Sequence, residues 1–167
     1  IYRGLAVRAN YLAQDRADIG YVVKELCRHM SNPRQCDWGN LNRLGRYLLG
    51  RPRVVVNFER QSRQDSLRVW TDTDHAGCLR TRRSTNGGAL MLGAHCLKSW
   101  SSTQAVIALS SGEAEFYGVV KGASVLLGML SLAADIGLTF KGRVHTDSSA
   151  AKGIALSLIH ISDPTRR

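Results

Sequence analysis

Three acidic residues, Asp72, Glu115 and Asp147, stand where the chain could present metal ligands. Asp72 ends an extended apolar run over residues 66–72, and Asp147 ends a second extended run over residues 142–147. Glu115 falls in the predicted first turn of a strongly apolar helix. Carboxylate oxygens are the ligands that Mg²⁺ prefers, and two Mg²⁺ ions about 4 Å apart can activate a water and stabilise the leaving oxygen of a phosphodiester. The three acids therefore predict a two-ion Mg²⁺ site, with Mn²⁺ as an alternative, in a nuclease.

Each acid, taken alone, also has a structural explanation. Asp72 could form a turn at a strand end, Glu115 could favour the positive end of a helix dipole, and Asp147 could cap the following helix. Glu113 is better explained as the partner of Ser110 in a capping box, so Glu115 is the predicted ligand. Carboxylates gathered at one place repel one another unless a cation is bound, and their joint occurrence therefore favours a metal site.

The segments that carry these acids predict an α/β fold, with a mixed sheet of three antiparallel strands followed by a helix, a strand and a helix. The two-residue turn Gly93-Ala94 predicts a hairpin between the second and third strands. Ser110 and Gly137 are the predicted start and stop signals of the long helix. The predicted elements are strands at 66–72, 87–93, 95–100 and 142–147, and helices at 110–137 and 148–156.

The front of the chain has a different pattern. Apolar residues at helical spacing predict a helix over residues 15–30 and a second one that runs from an Asp37 cap to Leu49. A short strand is predicted at 54–56. Residues 59–65 contain no apolar side chain and form the predicted linker. The predicted divisions are a small helical segment at 1–60, an α/β domain at 66–156 and an atypical tail at 157–167.

The composition favours a nucleic-acid partner. The formal net charge is +10, and residues 1–63 carry 12 Lys and Arg against 5 Asp and Glu. A basic protein most often binds polyanions, nucleic acid above all. The four cysteines lack the spacing of a zinc site and predict free thiols.

The chain shows neither a signal-peptide layout nor a run of 18 uncharged apolar residues, so no membrane partner is predicted. It also lacks an initiator Met, which predicts an internal piece of a longer polyprotein.

Four blocks follow one another in a distinctive order: TDTDHAGC at 71–78, RRSTNGG at 82–88, SWSSTQ at 99–104 and ALSSGEAEF at 108–116. They resemble the ribonuclease H domain of copia-type retrotransposon Pol polyproteins, and this resemblance implies that the α/β fold is of ribonuclease H-like type. The segment HTDSSAA at 145–151 is similar to that family's third acidic block. Residues 1–60 resemble the C-terminal end of the preceding reverse transcriptase, so the resemblance covers roughly residues 1–156.

The resemblance implies that Asp72, Glu115 and Asp147 are the first, second and third catalytic acids. The family cleaves the RNA strand of an RNA–DNA hybrid with Mg²⁺. The implied partners are the hybrid and the rest of the reverse transcriptase polyprotein, and the implied location is cytoplasmic, inside virus-like particles. The chain departs from the family at His75, where Trp is usual, and in the tail, where neither His160 nor Asp163 is assigned a role.

Further contacts with nucleic acid are predicted near these blocks. Arginines that follow the first acid could bind phosphates, and polar residues of the SWSSTQ block could contact sugar or backbone, where the 2′-hydroxyl distinguishes RNA from DNA. For each of them a solvated loop is an equally good explanation. The predicted residues are Arg80, Arg82, Arg83, Ser101, Ser102 and Gln104.

Three other functions stay open on the sequence. The chain could be a hybrid-binding remnant without activity, since the tail does not resemble the family's continuation. It could be an integrase-type nuclease of the same broad fold, which would act on duplex DNA. It could also be a degenerate copy of a mobile element.

Overall fold

The computed structural model describes residues 1–161, with side chains as far as residue 157. The chain divides into two compact units, one spanning residues 1–59 and the other beginning at Arg60. The predicted atypical tail starts inside the last helix, and its residues 162–167 lie outside the described part.

The first unit is helical. Its helices are α1 (Tyr2–Leu12), α2 (Gly20–Cys27) and α3 (Gln35–Gly50), and a 3₁₀ turn at Ala17–Ile19 precedes α2. The predicted helix over 15–30 is therefore shorter than expected. The core of the unit consists of Tyr2, Ala6, Ala9, Ile19, Val23, Leu26 and Leu44.

Two local predictions in this region are wrong. Helix α3 begins before Asp37, whose carboxylate reaches back to accept the Arg34 backbone N–H at 2.8 Å. Asp37 therefore sits inside the first turn rather than at the cap. Residues 54–56 pair with none of the four strands described, and Val55 is 79% exposed. A β-branched run forms a strand only where a neighbouring strand accepts its backbone hydrogen bonds.

The second unit contains a four-stranded mixed sheet in the order β3-β2-β1-β4. Strand β1 pairs antiparallel with β2 and parallel with β4, and β2 forms a hairpin with β3 through Gly93, whose φ is +61°. The predicted α/β fold with a mixed sheet is confirmed. Its elements are β1 (Ser66–Asp74), β2 (Thr85–Leu92), β3 (His95–Thr103), α4 (Ser111–Asp135), β4 (Lys141–His145) and α5 (Ser149–Ile161).

Both predicted ends of α4 are confirmed. Ser110 Oγ accepts the Glu113 backbone N–H at 3.1 Å, and the Glu113 carboxylate accepts the N–H of Leu109 at 2.8 Å. At the other end Gly137 has a φ of +78°, which an L side chain rarely adopts. The N–H of Leu138 donates to Ala133 O, so the helix closes with a Schellman motif.

Small residues bring α4 onto the sheet. The buried positions of the helix are Ala114, Gly118, Gly122, Leu126 and Ala133. Leu127, which the apolar periodicity places in the buried stripe, is exposed. A Cβ at Gly118 would lie 2.5 Å from Thr73 Oγ1, so the helix backbone approaches β1 closely at this point.

Helix α4 is also long and apolar enough to cross a membrane, with a mean hydropathy of 1.6 over 18 residues. The sequence does not predict such a helix, because Lys121 interrupts the uncharged run. Helix α4 packs on β1 at Gly118, but only 22% of the 18-residue window is buried, so this packing accounts for only part of its apolar composition.

Candidate metal centre

The three predicted acids converge at one end of the sheet. Asp72, Glu115 and Asp147 each offer a carboxylate oxygen, and these oxygens lie within 4.8 Å of one another. Strands β1 and β4 are parallel neighbours, so their carboxyl ends meet at the same edge of the sheet. Helix α4 brings Glu115 to that edge from one face. Residues from three separate elements thus form one acidic cluster.

Asp72, rather than Asp74, is the acid that strand β1 supplies. Strand β1 runs to Asp74, two residues beyond its predicted end, and both acids lie on the exposed side of the strand. The Thr73 backbone N–H donates to Asp72 Oδ1 at 2.8 Å and orients that carboxylate. A carboxylate oxygen of Asp72 faces the other two acids, whereas Asp74 is not part of the cluster.

Glu115 is the most buried of the three acids. Helix α4 begins at Ser111, so Glu115 lies just beyond the first turn, and its predicted first-turn place is wrong. Its Oε2 is buried and has no hydrogen-bond partner in the described part of the chain. Burial, followed by repulsion from Asp72 and Asp147, raises the pKa of the Glu115 carboxyl, and the nearby Thr73 N–H opposes that rise only in part.

Asp147 is not the cap of the helix that follows it. Ser148 Oγ accepts the Ala151 backbone N–H at 3.1 Å, so Ser148 caps α5. Asp147 lies two residues beyond the end of β4 and is exposed. The structural alternative for Asp147 is thereby removed, and the carboxylate is available to a ligand.

The donor set fits a hard divalent cation. All three ligands are carboxylates, which suit Mg²⁺ or Mn²⁺ better than a thiolate-preferring metal. The unpartnered Oε2 of Glu115 would gain a partner from a cation at this place. A cation would also relieve the repulsion among the three acids.

This electrostatic arrangement predicts that Glu115→Gln raises the melting temperature of the metal-free chain by a few degrees at neutral pH. The pKa of Glu115 is raised in the folded state, so the folded chain binds a proton at this carboxyl more tightly than the unfolded chain does. The stability that this protonated carboxyl contributes is therefore largest at low pH and is lost as the pH rises through the folded pKa. The gain from the substitution should therefore shrink towards about pH 4.

In excess Mg²⁺ the wild type should melt at a higher temperature than Glu115→Gln. Binding at ten times the Kd stabilises the folded state by about 1.4 kcal/mol, and the variant's neutral amide offers no charge to that ion. Calorimetry at pH 4 and pH 7, with Mg²⁺ or a chelator, measures both effects. A wild-type chain that melts at the same temperature with and without Mg²⁺ would contradict this account.

The predicted phosphate-binding arginines lie in the exposed loop between β1 and β2. This loop leaves β1 at the end that carries the acids, and the Arg82 N–H donates to Cys78 O at 2.6 Å. Arg82 has a φ of +54°. Arg80, Arg82 and Arg83 are all exposed, so their guanidinium groups are accessible at this end of the sheet.

The SWSSTQ block divides by position. Ser101 pairs with Gly87, which pairs with Asp72, so Ser101 shares a cross-strand row with the first acid. Ser102 lies in the next row, opposite Asn86. Gln104 is only 5% exposed, and its amide donates to Asn86 Oδ1 at 2.6 Å and to Ala114 O at 2.8 Å. These bonds give Gln104 a structural role, because they connect the sheet to the first turn of α4.

Comparisons with known proteins agree with the motifs. Over 138 residues, or 82% of its length, the chain is 37% identical to the retrovirus-related Pol polyprotein from transposon RE2 of Arabidopsis thaliana. The chain is related to copia-type retrotransposon Pol polyproteins. A second Arabidopsis relative, the Pol polyprotein from transposon RE1, is 36% identical over the same share of the chain.

This Pol-related chain spans only 9% of the length of the RE2 and RE1 proteins. It is also 34% identical, over 69% of its length, to the uncharacterized mitochondrial protein AtMg00810 of Arabidopsis, of which it covers 48%. No family model and no solved structure matches it. The predicted relation to Pol is therefore supported, whereas the ribonuclease H assignment stays a prediction.

Proposed function

We propose that this chain carries a ribonuclease H activity that hydrolyses the RNA strand of RNA–DNA hybrids during retrotransposon reverse transcription. The observation that carries the proposal is the meeting of Asp72, Glu115 and Asp147, whose oxygens lie within 4.8 Å of one another. Three carboxylates that converge from two strand ends and a helix are suited to phosphodiester hydrolysis, and the relatives are Pol polyproteins.

In this proposal the three carboxylates would hold divalent cations, which supply an activated water and stabilise the leaving oxygen when bound. The Thr73 N–H keeps the Asp72 carboxylate in one orientation through its hydrogen bond. Glu115 is half-buried and its Oε2 has no hydrogen-bond partner in the described part of the chain, so it would ionise most readily when a cation faces it. The water oxygen would form a bond to the phosphorus of the RNA strand, the bond from that phosphorus to one bridging sugar oxygen would break, and the leaving oxygen would take up a proton.

Space for the substrate lies beside the acids. An open cavity of about 590 Å³ is lined by Asp72, Asp147, Gly87 and other residues of the β1, β2 and β4 ends. Gly87 has no side chain to obstruct a strand that approaches Asp72. Ser101, in the same row, would contact the sugar of the bound strand, and the exposed arginines of the β1–β2 loop would contact its phosphates.

The proposal also includes the biological setting. The remaining part of the reverse transcriptase polyprotein would be the partner of this chain, and cytoplasmic virus-like particles would be its location. Support comes from the Pol relatives, of whose length the chain spans only 9%.

The test is cleavage of one labelled RNA strand presented as an RNA–DNA hybrid, as duplex RNA and as a single strand, beside duplex DNA of the same sequence. We expect cleavage of the hybrid alone, in Mg²⁺ or Mn²⁺ and not in chelator. Cutting of duplex DNA instead would support an integrase-type nuclease. Binding of the hybrid without any cleavage would identify an inactive remnant.

A further inference from the structure

An aromatic pair closes the ladder between β1 and β4. The rings of Trp70 and His145 stack with their centroids 4.3 Å apart and their planes 16° apart. These two residues are also the last paired position of the parallel ladder. Thr71 Oγ1 donates to His145 O at 3.2 Å, which adds a side-chain bond at the same place. Beyond this point β1 pairs only with β2.

The stack stands directly before the acidic cluster on both strands. Trp70 is two residues before Asp72, and His145 is two residues before Asp147. Alternation along β1 puts Trp70 and Asp72 on the same face of the sheet. Both acids therefore lie two residues past the last position at which β1 and β4 are paired.

The His145 ring is positioned by its stacking contact with Trp70 rather than by a hydrogen bond at Nε2. Its Nε2 is buried and has no hydrogen-bond partner in the described part of the chain. Trp70 covers one face of the ring and is itself 51% exposed. Because half of the Trp70 side chain stays exposed, burial of apolar surface contributes little to its position, and the stacking contact with His145 explains that position better.

We propose that Trp70 and His145 are positioning residues, whose stack sets the separation of Asp72 and Asp147 and hence the affinity of the cluster for divalent cations. This inference rests on the proposed metal-dependent function. Loss of the stack would let the end of β4 separate from β1, and Asp147 would move with it. Groups that orient metal ligands in this way typically change metal affinity by about tenfold or more.

The experiment is a titration of the full chain with Mn²⁺, followed by the electron paramagnetic resonance signal of the free ion. Trp70→Ala and His145→Ala should each raise the Kd about tenfold. The double variant should be no weaker than either single one, because both changes remove the same contact. Trp70→Phe and His145→Phe retain a stacking ring and should bind Mn²⁺ nearly as the wild type does.

Leu90→Ala is the matched control. Leu90 is fully buried on the other face of the sheet, so its truncation should lower the melting temperature and leave the Mn²⁺ affinity unchanged well below that temperature. If Trp70→Ala does not fold, as judged by circular dichroism, His145→Ala on the edge strand decides the test.

Normal Mn²⁺ affinity in the folded alanine variants would overturn the positioning role and leave the stack as packing alone. This outcome differs from failure of the metal site. If the wild type binds no Mn²⁺, or if Asp72→Asn binds it normally, the proposed metal centre is wrong. The positioning role, which depends on that centre, is then wrong as well.

Discussion

Asp72→Asn is expected to reduce cleavage of the RNA strand of a hybrid by about a thousandfold or more, whereas Asp74→Asn leaves it within a few-fold of wild type. The two residues share one strand, one face and one chemistry, but only Asp72 belongs to the cluster with Glu115 and Asp147. Removing one carboxylate from a cation site costs several kcal/mol of transition-state stabilisation.

Glu115 and Glu113 on α4 form a second pair of a predicted ligand and its control, after Asp72 and Asp74 on β1. Glu115→Gln should abolish cleavage to a similar extent, while Glu113→Gln should affect stability alone. The Glu113 carboxylate accepts the Leu109 N–H, so its loss weakens a helix cap, typically by about 1 kcal/mol. Initial rates in Mg²⁺, measured beside melting curves, separate the two effects. Equal loss of activity in both members of either pair would show that general damage, and not a missing ligand, explains the result.

Gly118→Ala is expected to destabilise the second unit by about 1–3 kcal/mol, although Ala is the better helix former. The added Cβ would lie 2.5 Å from Thr73 Oγ1, and Thr73 is buried. The helix must therefore move away from β1, and Glu115, one turn earlier on α4, would move with it. We expect weaker Mn²⁺ binding together with the loss of stability.

Gly128→Ala is the control for this substitution. A Cβ at Gly128 meets no described atom within 4 Å, so the same change in the same helix should stabilise the chain by up to about 1 kcal/mol. Calorimetry and the Mn²⁺ titration measure both variants. A Gly118→Ala protein that is as stable as Gly128→Ala would show that α4 does not depend on this close approach.

Local signals predict the second unit well. Ser110 and Glu113 start α4, and Gly137 ends it, because caps and left-handed glycines act within one turn of the chain. The Gly93 hairpin is equally local. The choice of Glu115 over Glu113 also follows from capping, since one acid is already occupied by the helix end.

Predictions that depend on partners far along the chain are less successful. The strand at 54–56 is wrong because no described strand pairs with it. Helix α1 is not predicted, since its buried side is largely alanine and gives a weak periodic signal. The burial of Gln104 is also not visible in the sequence, because its amide is hydrogen-bonded to residues of two other elements.

The amino-acid sequence was sufficient to select the three acids and the order of strands and helices that carries them, because both follow from residue types and short-range spacing. The tertiary structure alone decided that the acids meet. Their separation depends on the parallel register of β1 and β4 and on the close approach of α4 through Gly118. The tertiary structure also shows the stack of Trp70 on His145. No local pattern predicts this stack, because the two rings come from strands far apart in the chain.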